Sequence, residues 1–212
     1  MSLNFIAATT ATGANANPAI PAGVSAGDIL IMVASSGTVF SATPPTGYTE
    51  LYRNTVASPF LTIWYKITGA TETAVAATNA STATVAARLL YSAQLQGILR
   101  DGLGTVATAT STAPATTSIT TNFYGETIVS CYACVLNNPS ANWTAATGTT
   151  QRVSLSTTAA LTGMLVADEY DNAPGTSTAR TATLSRSLTW QAIAFSLRDL
   201  FQGSIVNWTT VT

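Results

Sequence analysis

"PFLTIWYKI", residues 59–67, sets Phe60, Thr62, Trp64 and Lys66 against Leu61, Ile63, Tyr65 and Ile67 in strict alternation. Successive side chains of a β-strand point to opposite faces, so a period of two yields one apolar face and one face mixing aromatics with Thr and Lys. The stretch reads as a strand. Upstream, "DILIMVAS" (28–35) is nearly continuous apolar, which predicts a central, well-covered strand. Between the two lies "TPPTGYTEL" (43–51). There Pro44 and Pro45 stop ladder pairing, Gly47 supplies a permissive φ, and Tyr48 is placed to seal the sandwich end. "SSGTVFSAT" (35–43) reads as a crossing between sheets.

The same reading extends along the chain. "LNFIAA" (3–8), "YTELYRN" (48–54), "ETAVAAT" (72–78), "ATVAARLLYSAQL" (83–95) and "ETIVSCYACVL" (126–136) are expected strands. So are "QRVSLST" (151–157), "LTGMLVADEY" (161–170), "STARTATLS" (177–185) and "LTWQAIAFSLRD" (188–199). One more extended piece is expected near "TTSIT" within 108–121. Ala, Arg and Leu in 83–95 favour a helix by propensity, but strands flank the segment and no cap signal precedes it. "QGILRDGLG" (96–104) and "NNPSANWTAATGTT" (137–150) read as loops. The expectation is one all-β domain over 1–199, a two-sheet antiparallel β-sandwich, jelly-roll-like, with about a dozen strands. Residues 200–212 form an apolar C-terminal extension carrying Phe201, Ile205, Val206 and Trp208. Such a tail packs back on its domain or docks on a neighbouring subunit.

Composition narrows the function. The chain has 212 residues, 47% hydrophobic and only 8% charged, against roughly a quarter charged in ordinary soluble domains. Thr, Ser and Ala fill the missing places, which suits an extracellular or assembled protein. The eight basic residues are scattered singly and the net charge is −1. No basic stripe exists to displace counterions from phosphates, so nucleic acid is not an expected partner. "MSLNFIAATTATG" lacks the n- and h-regions of a secretory signal, and no apolar run reaches membrane-spanning length, so no membrane is expected either.

Chemistry is restricted further by the absence of histidine, which removes any Ser-His-Asp or Cys-His arrangement. Lys66 is the sole lysine, and its place at the end of an apolar strand predicts solvent exposure. The C-x-x-C of Cys131 and Cys134 lies in a β-branched, aromatic run, where positions i and i+3 face opposite sides. Buried, reduced, structural cysteines are expected. "ADEYDN" gathers Asp168, Glu169 and Asp171. Asp168 and Asp171 are the calcium candidates, with loop carbonyls, and a hydrolase would need a facing carboxylate pair. The plain alternative is a strand end leading into a polar turn. No enzyme activity and no cofactor are expected. Tyr48, Tyr52, Trp143 and Trp208 lie in loop or strand-end contexts, and Tyr48 and Trp143 are the candidate glycan contacts. Trp64 and Trp190 are expected in the core.

Five segments in order carry a resemblance. They are "IPAGVSAGDILIMVAS" (20–35), "TPPTGYTEL" (43–51), "LTIWYKITGATET" (61–73), "RLLYSAQL" (88–95) and "ADEYDNAPGTSTARTATLSRSLTWQAIAFSLRD" (167–199). Together they resemble a jelly-roll-type module of bacteriophage virion proteins and some bacterial surface proteins. Tyr48 stands where that module more often has Trp, and "YSAQ" replaces its usual "YRG". The resemblance implies a non-enzymatic structural protein located on the virion, assembled in the host cytoplasm. Its role would be capsid decoration or stabilisation, or that of a tail accessory module. The implied partners are other virion proteins and further copies of the chain, by analogy a trimer. The alternative reading is a carbohydrate-binding module that recognises a host glycan, which predicts a clustered aromatic and Asn/Asp surface at one end of the sandwich.

Overall fold

A computed structural model describes residues 3–41, 43–77, 84–92, 98–136, 141–157, 161–171 and 173–199. The strands of the first half are β1 (Asn4–Thr12), β2 (Ile29–Ser36), β3 (Thr49–Arg53), β4 (Phe60–Ile67) and β5 (Thr84–Ser92). Next come β6 (Ile98–Leu103), β7 (Ala107–Ser111), β8 (Thr120–Thr121), β9 (Glu126–Val135) and β10 (Trp143–Thr144). The last are β11 (Thr150–Thr157), β12 (Thr162–Asp171), β13 (Gly175–Thr176), β14 (Thr183–Leu184) and β15 (Leu188–Asp199). The fold is all-β, as the period-two pattern predicts.

Two large antiparallel sheets pack face to face. The first runs β1-β5-β2-β4-β3, and the second runs β11-β12-β9-β15-β6, with β7 also on β15. Ile31, Val33, Ile63 and Leu89 of the first sheet meet Val129, Cys131, Val166 and Phe195 of the second in one interior cluster. Across the same interface the Ser35 and Thr162 hydroxyls lie 2.8 Å apart, a buried hydrogen bond between sheets. Among the described strands the path passes between the large sheets once, between β5 and β6. A jelly-roll path would pass between them repeatedly, so the sandwich expectation and its jelly-roll detail part here.

Each large sheet is also covered on its outer side. Leu30, Met32, Trp64 and Leu90 of the first sheet pack under Ala16, Phe40, Tyr48 and Ala77 from its connections. Tyr132, Leu165 and Trp190 of the second pack under Trp143, Ala182 and Leu184, which lie on the small β10-β14 ladder or beside it. Double covering is why β2 is buried at every position and why its sequence is an unbroken apolar run instead of an alternation.

Several segments differ from their sequence reading, and the covering layers supply the reason. The "SSGTVFSAT" segment does not cross between sheets, because β2 and β3 share one sheet. Instead Phe40 folds over it and meets Trp64 edge-on, with ring centroids 5.5 Å apart. The described part of 72–78 is not a strand. It lies over the same face, with Ala77 N–H donating to Ala16 C=O at 2.9 Å. Within 177–185 only β14 and a bridge between Ala115 and Thr181 form, because its N–H groups bond loop carbonyls such as Pro114 O and Thr112 O. Conversely 96–104, read as a loop, holds β6, which pairs with the end of β15. Arg100, Asp101 and Gly102 had hidden its pattern.

The corner at 43–51 is a tight turn, in which Tyr48 N–H donates to Pro45 C=O at 2.9 Å and Gly47 has φ +80°. An added Cβ at Gly47 would meet the flexible end of Lys66 at 3.3 Å, so the strain there is conformational. Gly47→Ala is expected to lower stability by about 1 kcal/mol, read as a urea-midpoint shift at constant m-value.

Candidate functional site

One end of the sandwich opens into a cleft, and two irregularities make it. In β1, Phe5 pairs with Tyr91 and Ala7 with Leu90, leaving Ile6 as an extra residue. In β11, Gln151 pairs with Ala167 and Val153 with Val166, leaving Arg152 extra. Both are β-bulges on edge strands, and a bulge re-aims the side chains around it. Between these edges lies a cavity of about 240 Å³, lined among others by Asn4, Phe5, Thr127, Arg152, Asp168 and Tyr170.

Its floor is a charge pair. Arg152 Nε donates to Asp168 Oδ1 at 2.8 Å, and the guanidinium lies over the Phe5 ring, 4.3 Å from the centroid. Tyr91 O–H donates to Asp168 Oδ2 at 3.0 Å, and the Phe5 and Tyr91 rings meet edge-on at 5.6 Å. Asp168 is 3% exposed, a burial that a carboxylate tolerates only when paired and hydrogen-bonded. Burial first, and then the neighbouring Asp168 charge, hold the Tyr91 phenol well above its ordinary pKa. Tyr91→Phe keeps the ring packing but strips one donor from a buried carboxylate. It is expected to cost about 1–3 kcal/mol, measured by chemical denaturation.

The neighbouring residue Glu169 also borders the cleft, but its carboxylate has its own partner. Glu169 Oε1 accepts from Arg180 Nε at 2.5 Å. Asp171 accepts from the Thr121 hydroxyl at 2.9 Å. Asp168 and Asp171 therefore do not share a cation site: three residues apart on β12, they take opposite faces and separate partners. Among the described residues no cluster of three or more metal-ligating side chains occurs.

The other predicted site residues are placed as follows. Tyr48 and Trp143 are 8% and 7% exposed, so neither presents a ring face to a sugar. Each belongs to an apolar layer that covers a sheet. Trp64 and Trp190 are buried, as expected. Lys66 is not a free solvent cation: its Nζ lies 2.6 Å from Glu72 Oε2. Cys131 and Cys134 are free and buried, one in the interior cluster and the other on the outer face. Burial pushes both thiols up, Cys134 to about 12 and Cys131 further. Phe201, Ile205, Val206 and Trp208 lie outside the described residues.

Two arginines escaped the sequence reading. Arg152 stands in an ordinary edge strand, and nothing local marks its bulge. Arg88 had a signal, as the lone charge inside "TVAARLLYS". It is fully buried on β5 and turns to the outer face of the first sheet. There its Nε donates to Tyr48 Oη at 3.0 Å and its Nη2 to Val75 C=O at 2.8 Å, while Nη1 donates to Pro18 C=O. Three covering connections are thus tied to one side chain.

Fold and site together define an all-β sandwich with a polar cleft at one mouth. Searches of protein-family models, curated proteins and solved structures find no match to this chain.

Proposed function

We propose that the chain is a non-enzymatic bacteriophage virion structural protein that decorates or stabilises the capsid or serves as a tail accessory module. The observation that carries this reading is where the charged side chains go. Glu50 pairs with Arg53, Lys66 with Glu72, Arg152 with Asp168 and Arg180 with Glu169, and Arg88 is committed to loop carbonyls. Lys66, Arg88 and Glu169 pin connections onto sheets, and the Glu50–Arg53 and Arg152–Asp168 pairs tie charge within a strand or between neighbouring strands, which builds a stiff scaffold with a Thr/Ser surface poor in charge. The ordered segments that resemble phage virion modules support the same reading.

Subunit contact in this proposal comes from side-chain burial more than from extending a sheet. The edge strands β1, β3, β11 and β6 each pair with a register irregularity, which discourages edge-to-edge ladders, and the one regular edge among the described strands of the large sheets, β7, is only five residues long. The apolar residues Phe201, Ile205, Val206 and Trp208 are the contact candidates, and a trimer is the assembly favoured by analogy. The test is light scattering of the full chain and of a chain truncated after Leu200, with imaging of intact particles. The expected result is an oligomer that occupies regular positions on the particle and is lost on truncation. A full-length monomer absent from purified particles would overturn the proposal. Undiminished assembly of the truncated chain would remove the tail contact.

A further inference from the structure

We propose that the cleft between the bulged edges of β1 and β11 binds a single neutral sugar residue. The inference does not depend on the virion reading. Size comes first. The cavity of about 240 Å³ holds the equivalent of about eight waters at ~30 Å³ each. It lies just below the range of roughly 300–1,000 Å³ that accepts drug-sized ligands. One small ring fits such a space.

The donors and acceptors select the chemistry. A carboxylate has about four lone-pair sites and a guanidinium five N–H groups. Among the described residues, Asp168 accepts two hydrogen bonds and Arg152 donates one. The pair therefore offers spare acceptors and spare donors side by side, held by Tyr91 below and the Phe5 ring alongside. Vicinal hydroxyls, each both donor and acceptor, match that arrangement. Thr127 and Asn4 add a hydroxyl and an amide to the lining.

Charge disfavours the competing classes. An anion on the spare N–H groups of Arg152 would sit beside the Asp168 carboxylate, and a cation on the spare lone pairs of Asp168 would sit beside the Arg152 guanidinium. Each would meet a like charge next to the group it binds, whereas neutral hydroxyls meet none. Glu169 is already matched by Arg180, so it adds no net pull toward a cation.

An aromatic wall completes the site. Tyr170 lines the cleft, two residues from Asp168 and on the same face of β12, and is 51% exposed. An exposed tyrosine ring is amphipathic and suits the C–H face of a sugar. The other strongly exposed tyrosine among the described residues, Tyr124, stands at the same end. The residue after it, Gly125, donates its N–H to the carbonyl of Asp171, the residue after Tyr170.

The experiment is a titration of the isotopically labelled full chain, followed by backbone amide shifts. The probes are glucose, galactose, mannose and N-acetylglucosamine, with glucuronic acid and glucosamine as charged comparators. Concentrations run to about 50 mM, where a site with a Kd of ~10 mM is largely filled. At least one neutral sugar is expected to shift the amides of Asn4, Thr127, Arg152 and Tyr170 saturably. Tyr170→Ala and Thr127→Val are each expected to weaken binding about fivefold or more, the loss of one ring contact or hydrogen bond. Tyr170→Ala changes a half-exposed side chain, so the fold survives it. The proposal is overturned if no neutral sugar shifts these amides. Shifts confined to another surface, binding by the charged sugars alone, or full affinity in both variants would overturn it equally.

Discussion

Arg88→Met is expected to lower the unfolding free energy by about 3–5 kcal/mol. The physical reason lies in what the side chain leaves behind. Three acceptors, Tyr48 Oη and the carbonyls of Pro18 and Val75, lose a charged donor together. Hydrogen bonds to charged groups contribute about 1.5–3 kcal/mol each, and water reaching the loosened loops recovers part of the loss. In a chain of this size each kcal/mol is worth about 2–4 °C of melting temperature, so the midpoint falls by roughly 6–20 °C. Arg88→Lys keeps the charge but not the planar fork, which serves three directions at once, and less than half the loss is expected to be recovered. Urea unfolding measures both variants. Limited proteolysis adds a local reading, with new cleavage expected in 13–27 and 69–77. An Arg88→Met protein within about 1 kcal/mol of the parent would contradict the role assigned to this side chain.

The second large effect is alkaline. Burial holds the Cys134 thiol at about 12 and that of Cys131 higher still, against an ordinary value of 9.0. Tyr91 and Tyr132 are likewise raised, in both cases chiefly by burial. A group whose folded pKa is raised contributes stability that is complete below its unfolded value and is lost as pH rises above it. Above pH 9 the unfolded chain releases both thiol protons while the folded chain keeps them. Each such proton steepens the fall by about 1.4 kcal/mol per pH unit, so the two thiols together cost about 3 kcal/mol per unit between roughly pH 9.5 and 12. The tyrosines add to the slope above their ordinary value of 10.0.

Acid stability runs the other way. For Glu72, burial acts to raise the pKa, but the hydrogen bond from Lys66, the Gly69 N–H and the charges of Lys66 and Arg88 outweigh it and lower the pKa. Its contribution is therefore present above pH 4.5 and disappears as pH falls through the lowered value. With no histidine in the chain, a plateau is expected between these limbs. Urea midpoints at pH 6, 8, 10 and 11 check the alkaline limb, and Cys131→Ala is expected to remove about half the thiol slope. Midpoints that stay level to pH 11 would contradict it.

Strand existence was legible where the pattern was long, as in 28–35, 59–67, 126–136 and 188–199. It was obscured in β6, where Gly102 and adjacent charges break the alternation. It was overstated in 72–78 and 177–185. Those segments have strand-like composition because they cover a sheet, and a cover must be apolar on one side much as a strand is. Tyr48 and Trp143 were legible as aromatics in connections. Their burial was not, because each is covered by a sheet distant in sequence: Tyr48 by Arg88 and Trp64, Trp143 by Tyr132 and Leu165.

By itself the sequence determined the all-β class, the central strands, the reduced and opposed cysteines, and the absence of histidine-based catalysis. All of these follow from local period and residue type. Only the tertiary structure decided which sheet each strand joins, the single passage between the large sheets, the roles of Arg88 and Arg152, and the cleft built on Asp168. These depend on pairings between residues tens of positions apart. A one-residue bulge that turns an edge arginine into a site leaves no periodic trace in the chain that carries it.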